Sequence, residues 1–110
     1  ERPYRDTVPG HVVGDILKNA QPGTLPLQAC TNAKASPSIT VHTTKAPPKD
    51  FTCNRVMGHV PQTQLPGTVP MHRWYHRGER RYVLTTDPNF DGPGNGYSDV
   101  VLEGYVFQRN

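Results

Sequence analysis

The chain has 110 residues, with 12 prolines, 10 glycines, 34% hydrophobic residues and a formal net charge of +3. That length suits one domain with a single modest core, and so much proline and glycine excludes a bundle of long helices. The positive excess is mild and dispersed, so nucleic acid is not implied as a partner; no run reaches the about 18 to 20 apolar residues of a membrane helix, and no signal-peptide pattern remains.

In chain order, PGHVV at 9–13 comes first, followed by HVVGDILKNA at 11–20. Val12, Val13, Ile16, Leu17 and Ala20 fall on one helical face between Pro9-Gly10 and Pro22-Gly23, and this predicts a short linker helix over 11–20. PGTLPL at 22–27 opens a segment containing VHTT (41–44) and VMGHV (56–60). The same landmarks return as PGTVPM (66–71), VLTT (83–86) and LEGYV (102–106), at offsets of 44, 42 and 46. Self-similarity at such a period marks a repeated structural unit. Residues 22–61 and 66–107 therefore read as two copies of one unit of about forty residues. The Gly-His-Val of 10–12, matching 58–60 at an offset of 48, suggests that the tail of a third copy occupies 1–13.

Within the second copy, Val69–Tyr75 and Arg81–Thr86 are rich in β-branched and aromatic residues and flank Gly78, which predicts a hairpin. DPNFDGPGNG at 87–96 reads as a loop by its turn residues, and Tyr97–Phe107 as a further strand with Gly104 at a bulge. The expected fold is one mostly β domain over 1–110, either β-trefoil-like or a two-repeat β domain, with a short N-terminal helix. Cys30 and Cys53 lack the paired spacing of a zinc site, and the expected state is a disulfide in a protein of an oxidising, extracellular compartment.

The residues Trp74, Tyr75, Thr85, Thr86, Asp87, Pro88, Gly96, Tyr97, Glu103, Gly104, Tyr105, Val106 and Phe107 carry a resemblance. This part of the chain resembles a repeat of secreted bacterial and fungal proteins. In that repeat an aromatic Tyr-Arg-Trp/Phe-Tyr strand leads to a Thr-Thr-Asp-Pro turn, a glycine-rich loop and a closing Gly-Tyr-Val-Phe strand. The resemblance covers about a third of the chain and departs from the pattern at 78–82, where GERRY stands in place of Gly-Asp-His. Members are often attached to secreted hydrolases, and that context implies carbohydrate or surface binding.

Three kinds of chemistry compete for MHRWYH at 71–76. His72 and His76 are four apart, a metal spacing on a helix, but about 13 Å apart along a strand, too far for one ion. His72 or His76 with Glu79 and Arg80 or Arg81 supplies the residue types of a small secreted ribonuclease, without a motif that makes them converge. Trp74, Tyr75 and Tyr97 offer flat faces to a sugar or partner, and Asp87, Asn89, Asp91 and Asn95 offer loop hydrogen-bonding groups. The expected function is therefore non-catalytic binding by a secreted, lectin-like protein that needs no cofactor. Its partner is a glycan or an extracellular protein. The alternative is an extracellular structural protein acting as a homo-oligomer.

Overall fold

The structure is a computed structural model that describes residues 6–8 and 11–108, with side chains from residue 14 onward. Among these residues the chain is mostly β. A short ladder joins β1 (Asp6–Val8) to β2 (His11–Gly14). Next come β3 (Thr24–Asn32), β4 (Ile39–Thr43) and β5 (Thr52–Pro61), which form an antiparallel sheet of order β4-β3-β5. β6 (Thr68–His76), β7 (Arg81–Thr85) and β8 (Tyr97–Phe107) form a second sheet of order β7-β6-β8. In each, the first strand is central and the next two pair on either side of it. A single 3-10 turn, Pro93–Asn95, lies among the described residues of the loop before β8.

The two sheets are fastened by the same local bonds. Both begin at a Pro-Gly-Thr turn in which the threonine N–H donates to the residue before the proline, Thr24 to Gln21 O and Thr68 to Leu65 O, each at 3.1 Å. Proline pre-sets the first central position, and Gly23 and Gly67, at φ of 80° and 82°, take the left-handed second one. The threonine hydroxyl closes the turn, donating at 2.6 Å to Gln21 O in one sheet and to Leu65 O in the other. Each sheet is then tied off from its last strand, by Gln62 N to Gly23 O (2.9 Å) and Gln108 N to Gly67 O (2.8 Å). After β4 and β7 the hydroxyls of Thr43 and Thr85 accept the N–H groups of Lys45 and Asp87, both at 3.0 Å.

Residues 11–20 do not form the expected helix. β2 runs to Gly14, and the extended chain continues by pairing Asp15 with Phe107 of β8 and Leu17 with His59 of β5. Each bridge is a reciprocal pair of backbone hydrogen bonds of 2.8–2.9 Å. A short apolar run satisfies helical and extended patterns alike, and tertiary pairing overrides propensity when two sheet edges offer partners. Asp15, Ile16 and Leu17 are all buried, whereas Ala20, which a helical stripe would bury, is exposed. The PGHVV match, and with it the repeat tail expected at 1–13, lies outside the residues whose side chains are described.

Three strand ends close the core in a ring: Gly14-Asp15-Ile16-Leu17, Gly58-His59-Val60-Pro61 and Gly104-Tyr105-Val106-Phe107. Each glycine is pressed against the next segment. A Cβ on Gly14 would stand 2.6 Å from Phe107 O, one on Gly104 2.8 Å from Val60 Cγ2, and one on Gly58 2.6 Å from Ile16 Cδ1. Ile16, Val60 and Val106 meet inside the ring with Leu27, Met71 and Leu84 as one hydrophobic cluster. Cys30 and Cys53 face each other across β3 and β5 with sulfurs at bonding distance, 2.02 Å.

Candidate functional site

Side chains alternate across a strand, so β6 delivers MHRWYH to two different places. His72, Trp74 and His76 stand on one face, and Met71, Arg73 and Tyr75 on the other. Trp74 and Tyr75, both candidate binding faces, thereby lie on opposite faces of β6.

On the first face the loop 87–96 folds back over Trp74. Phe90 packs on the Trp74 ring with centroids 5.6 Å apart, Tyr97 on Phe90 at 5.4 Å, and His76 edge-on to Tyr97 at 4.9 Å. The Gly92 backbone lies against the indole so closely that a Cβ there would be 2.4 Å from two ring carbons. Tyr97 is buried and Trp74 half-buried. These rings therefore hold the loop rather than stand free.

The loop's polar residues Asp87, Asn89, Asp91 and Asn95 are all exposed and partly occupied with shaping the turn. Asp87 Oδ1 accepts from Asn89 N (2.8 Å), Asp91 Oδ1 accepts from Gly94 N (2.9 Å), and Asn95 Nδ2 donates to Asp91 O (2.7 Å).

His72 is opposite Thr85 and Leu102, and His76 opposite Arg81 and Tyr97. The His76 ring is engaged, its Nδ1 accepting from Glu79 N at 2.8 Å. Glu79 itself pairs with Arg81, which holds its carboxyl below the usual range by hydrogen bonding and charge. Glu79 in turn raises Arg81 by the same hydrogen bond. Among the described residues no three His, Cys, Asp or Glu side chains are grouped to hold a metal ion.

The second face of β6 looks toward the other sheet and carries residues that sequence reasoning missed. In β8 the pairing steps from Met71–Gly104 to His72–Leu102, so Glu103 is the extra residue of a bulge; in β5 the step from Leu27–Gly58 to Gln28–Val56 makes Met57 the extra residue. Bulges re-aim side chains, and Glu103 is turned into the seam between sheets, 1% exposed. There its carboxylate accepts from the Thr43 hydroxyl (2.6 Å) and the Thr44 N–H (2.8 Å), and the single proton of the Thr44 hydroxyl is shared between Glu103 Oε1 and the Glu103 carbonyl oxygen, both at 2.8 Å. Arg73 Nε lies 3.0 Å from Glu103 Oε2, an ion pair by distance whose alignment is not that of a hydrogen bond, and Arg73 Nη1 has no hydrogen-bond partner among the described residues.

Outward from Arg73, its guanidinium lies 5.5 Å from the centre of the Tyr82 ring. Tyr82 stands directly opposite Tyr75, ring centroids 4.6 Å apart, and Phe51 meets Tyr82 edge-on at 6.1 Å from the first sheet's β4–β5 connection. Partial burial pushes the Tyr82 phenol above its usual value, with Arg73 opposing. The period-2 reading of RWYH could have paired Arg73 with Tyr75, but nothing in the sequence announced that Glu103 would reach Thr43.

Beside Glu103 the seam opens into a shallow depression of about 90 Å³ lined by Leu25, Lys45, Gln62, Leu102, Glu103 and Gly104. That is well below the roughly 300 Å³ at which small-molecule sites begin, so this depression is not an enclosed ligand site. What the geometry defines is an all-β domain of two cross-braced sheets with one disulfide. No family model, curated protein or solved structure matches the chain.

Proposed function

We propose that this chain is a secreted, non-catalytic carbohydrate-binding domain. The observation that carries this reading is the loop 87–96. It presents Asp87, Asn89, Asp91 and Asn95 to solvent while Trp74, Phe90 and Tyr97 brace it from beneath. Polar groups held in place before a ligand arrives lose little entropy on binding, and a patterned set of carboxylates and amides suits sugar hydroxyls. The Cys30–Cys53 bridge supports an oxidising, extracellular setting.

The architecture in this reading is a repeat fold, in keeping with the resemblance to secreted-protein repeats. Matching turn, tie and threonine bonds at offsets of 44, 46 and 42 support two copies of one unit. The ring of three glycine-led strand ends supports a trefoil-like, threefold plan with a reduced first copy. In that plan Gly14, rather than Gly10, corresponds to Gly58 and Gly104.

Asp87→Ala and Asn95→Ala test the site. Both variants keep the thermal midpoint within a few degrees and lose binding on a glycan array. Unchanged array signals in both remove the loop from the site.

A specific observation favours a second reading, assembly with other subunits. Val56 on β5 and Val100 and Leu102 on β8 are large apolar residues 41–49% exposed, on strands at the sheet edges. A concentration-dependent mass in light scattering, insensitive to sugar, would favour it.

A further inference from the structure

We propose that Phe51, Tyr75 and Tyr82 form the surface on which the pyranose ring of a neutral glycan stacks, with Arg77, Ser98 and Asp99 as its polar rim. This rests on the carbohydrate reading above and places the stacking contact on the face of β6 opposite Trp74.

The two tyrosines pair across β6 and β7, half-buried, with their rings inclined by 39° and Phe51 closing one end. Arg73 braces Tyr82. Neither phenolic hydroxyl has a hydrogen-bond partner among the described residues, and neither is an orphaned buried atom. Each is thus available to a ligand.

Comparison within the chain separates a binding role from a packing role. At the offsets of the matching turns, 44 and 42, Tyr75 and Tyr82 correspond to Thr31 and Thr40, and these also pair directly, across β3 and β4. The same rung is therefore built in the first sheet without aromatic rings. The second sheet carries two large, partly exposed rings that the fold does without elsewhere.

The rim decides the class of ligand. Ser98 is opposite Tyr75 in the β6–β8 ladder. Arg77 lies 3.2 Å from Ser98 Oγ and 3.4 Å from Asp99 Oδ1 in an exposed cluster. Its positive charge is matched by a carboxylate, so the surface selects neither polyanions nor polycations. Flat apolar rings, free hydroxyls and a neutralised hydrogen-bonding rim complement a pyranose, which has C–H faces and an equatorial belt of hydroxyls.

The experiment is calorimetric titration of the oxidised protein with cellotetraose, xylotetraose, mannotetraose and chitotetraose. Wild type is run beside Tyr75→Thr and Tyr82→Thr, which install the first sheet's residues at this rung, with light scattering on each sample. The expected result is that wild type binds at least one tetraose, and that each variant binds it about tenfold more weakly or worse. In wild type the bound sugar protects Tyr75 and Tyr82 from nitration by tetranitromethane, a readout that stands even if a variant fails to fold. Wild-type binding with unchanged affinity in folded variants, or with no protection of either tyrosine, overturns this inference and leaves the carbohydrate reading standing. Failure of every tetraose to bind wild type overturns both. A wild-type dimer that the variants convert to monomer makes the rings a contact between copies and likewise overturns the inference.

Discussion

Glu103 is fully buried, yet its cost is offset by three hydrogen bonds and a neighbouring guanidinium. Removing one partner of such a pair strands the other, and this is worth about 3–5 kcal/mol. Glu103→Met, which installs the residue at the equivalent bulge of β5, is expected to destabilise the chain by about 3 kcal/mol in urea unfolding. Adding Arg73→Ala recovers part of that loss, because no charge is then left alone in the seam; a double variant less stable than Glu103→Met would contradict the pairing. Gly92→Ala tests the loop, since its Cβ would collide with the indole. It should cost about 1–3 kcal/mol and shift the emission of Trp74, the chain's single tryptophan, to the red. Tyr82 tests burial. Its folded-state pKa is raised, so its stabilising contribution is complete below about pH 10, the value in the unfolded chain, and is lost as pH rises through the higher folded value. An absorbance titration at alkaline pH should show a late-titrating component that Tyr82→Phe removes.

At the scale of elements, the segment after β2 is the clearest departure from what the sequence suggested. Ile16 is 1% exposed between two backbone bridges, so Ile16→Ala should cost about 2–5 kcal/mol, and circular dichroism should lack a helical signature. The strands themselves were legible because β-branched and aromatic runs end at Pro-Gly and Gly-rich turns. The cystine was legible too, from two cysteines with no metal spacing. The fate of 11–20 was not, because five apolar residues fit a helical face and an extended path equally, and the choice was made by edges contributed from β5 and β8, more than forty residues away. In the candidate site, the loop character of 87–96 and the exposure of Asp87, Asn89, Asp91 and Asn95 follow from its turn residues, but the packing of Trp74 and Tyr97 beneath it and the pairing of Tyr75 with Tyr82 depend on a register that one strand alone does not reveal. Cys30 stands at the Trp74 position of the other sheet, at the offset of 44. There a covalent tie replaces the loop plug. Reducing the disulfide should lower stability by about 3 kcal/mol, measured as a shift in urea midpoint.

At the scale of the molecule, the two sheets meet through a closed apolar ring at one level and the Glu103 brace at another. The ring is shared by strand ends from all along the chain, which predicts cooperative, single-step unfolding rather than separate melting of the sheets. The turn, threonine and tie bonds recur at offsets of 44, 42 and 46, the offsets at which the sequence landmarks also recur. The brace was not readable in the sequence, because Glu103 and Met57 share a position but not a chemistry. The two sheets differ in side-chain chemistry at Glu103, Trp74, Tyr75 and Tyr82, and the last two are where a glycan is proposed to stack. A glycan-array screen of the oxidised chain, with light scattering on the same sample, decides the matter. Binding to a related set of neutral glycans by a monomer is the expected result; a blank array from a folded protein would contradict the carbohydrate reading.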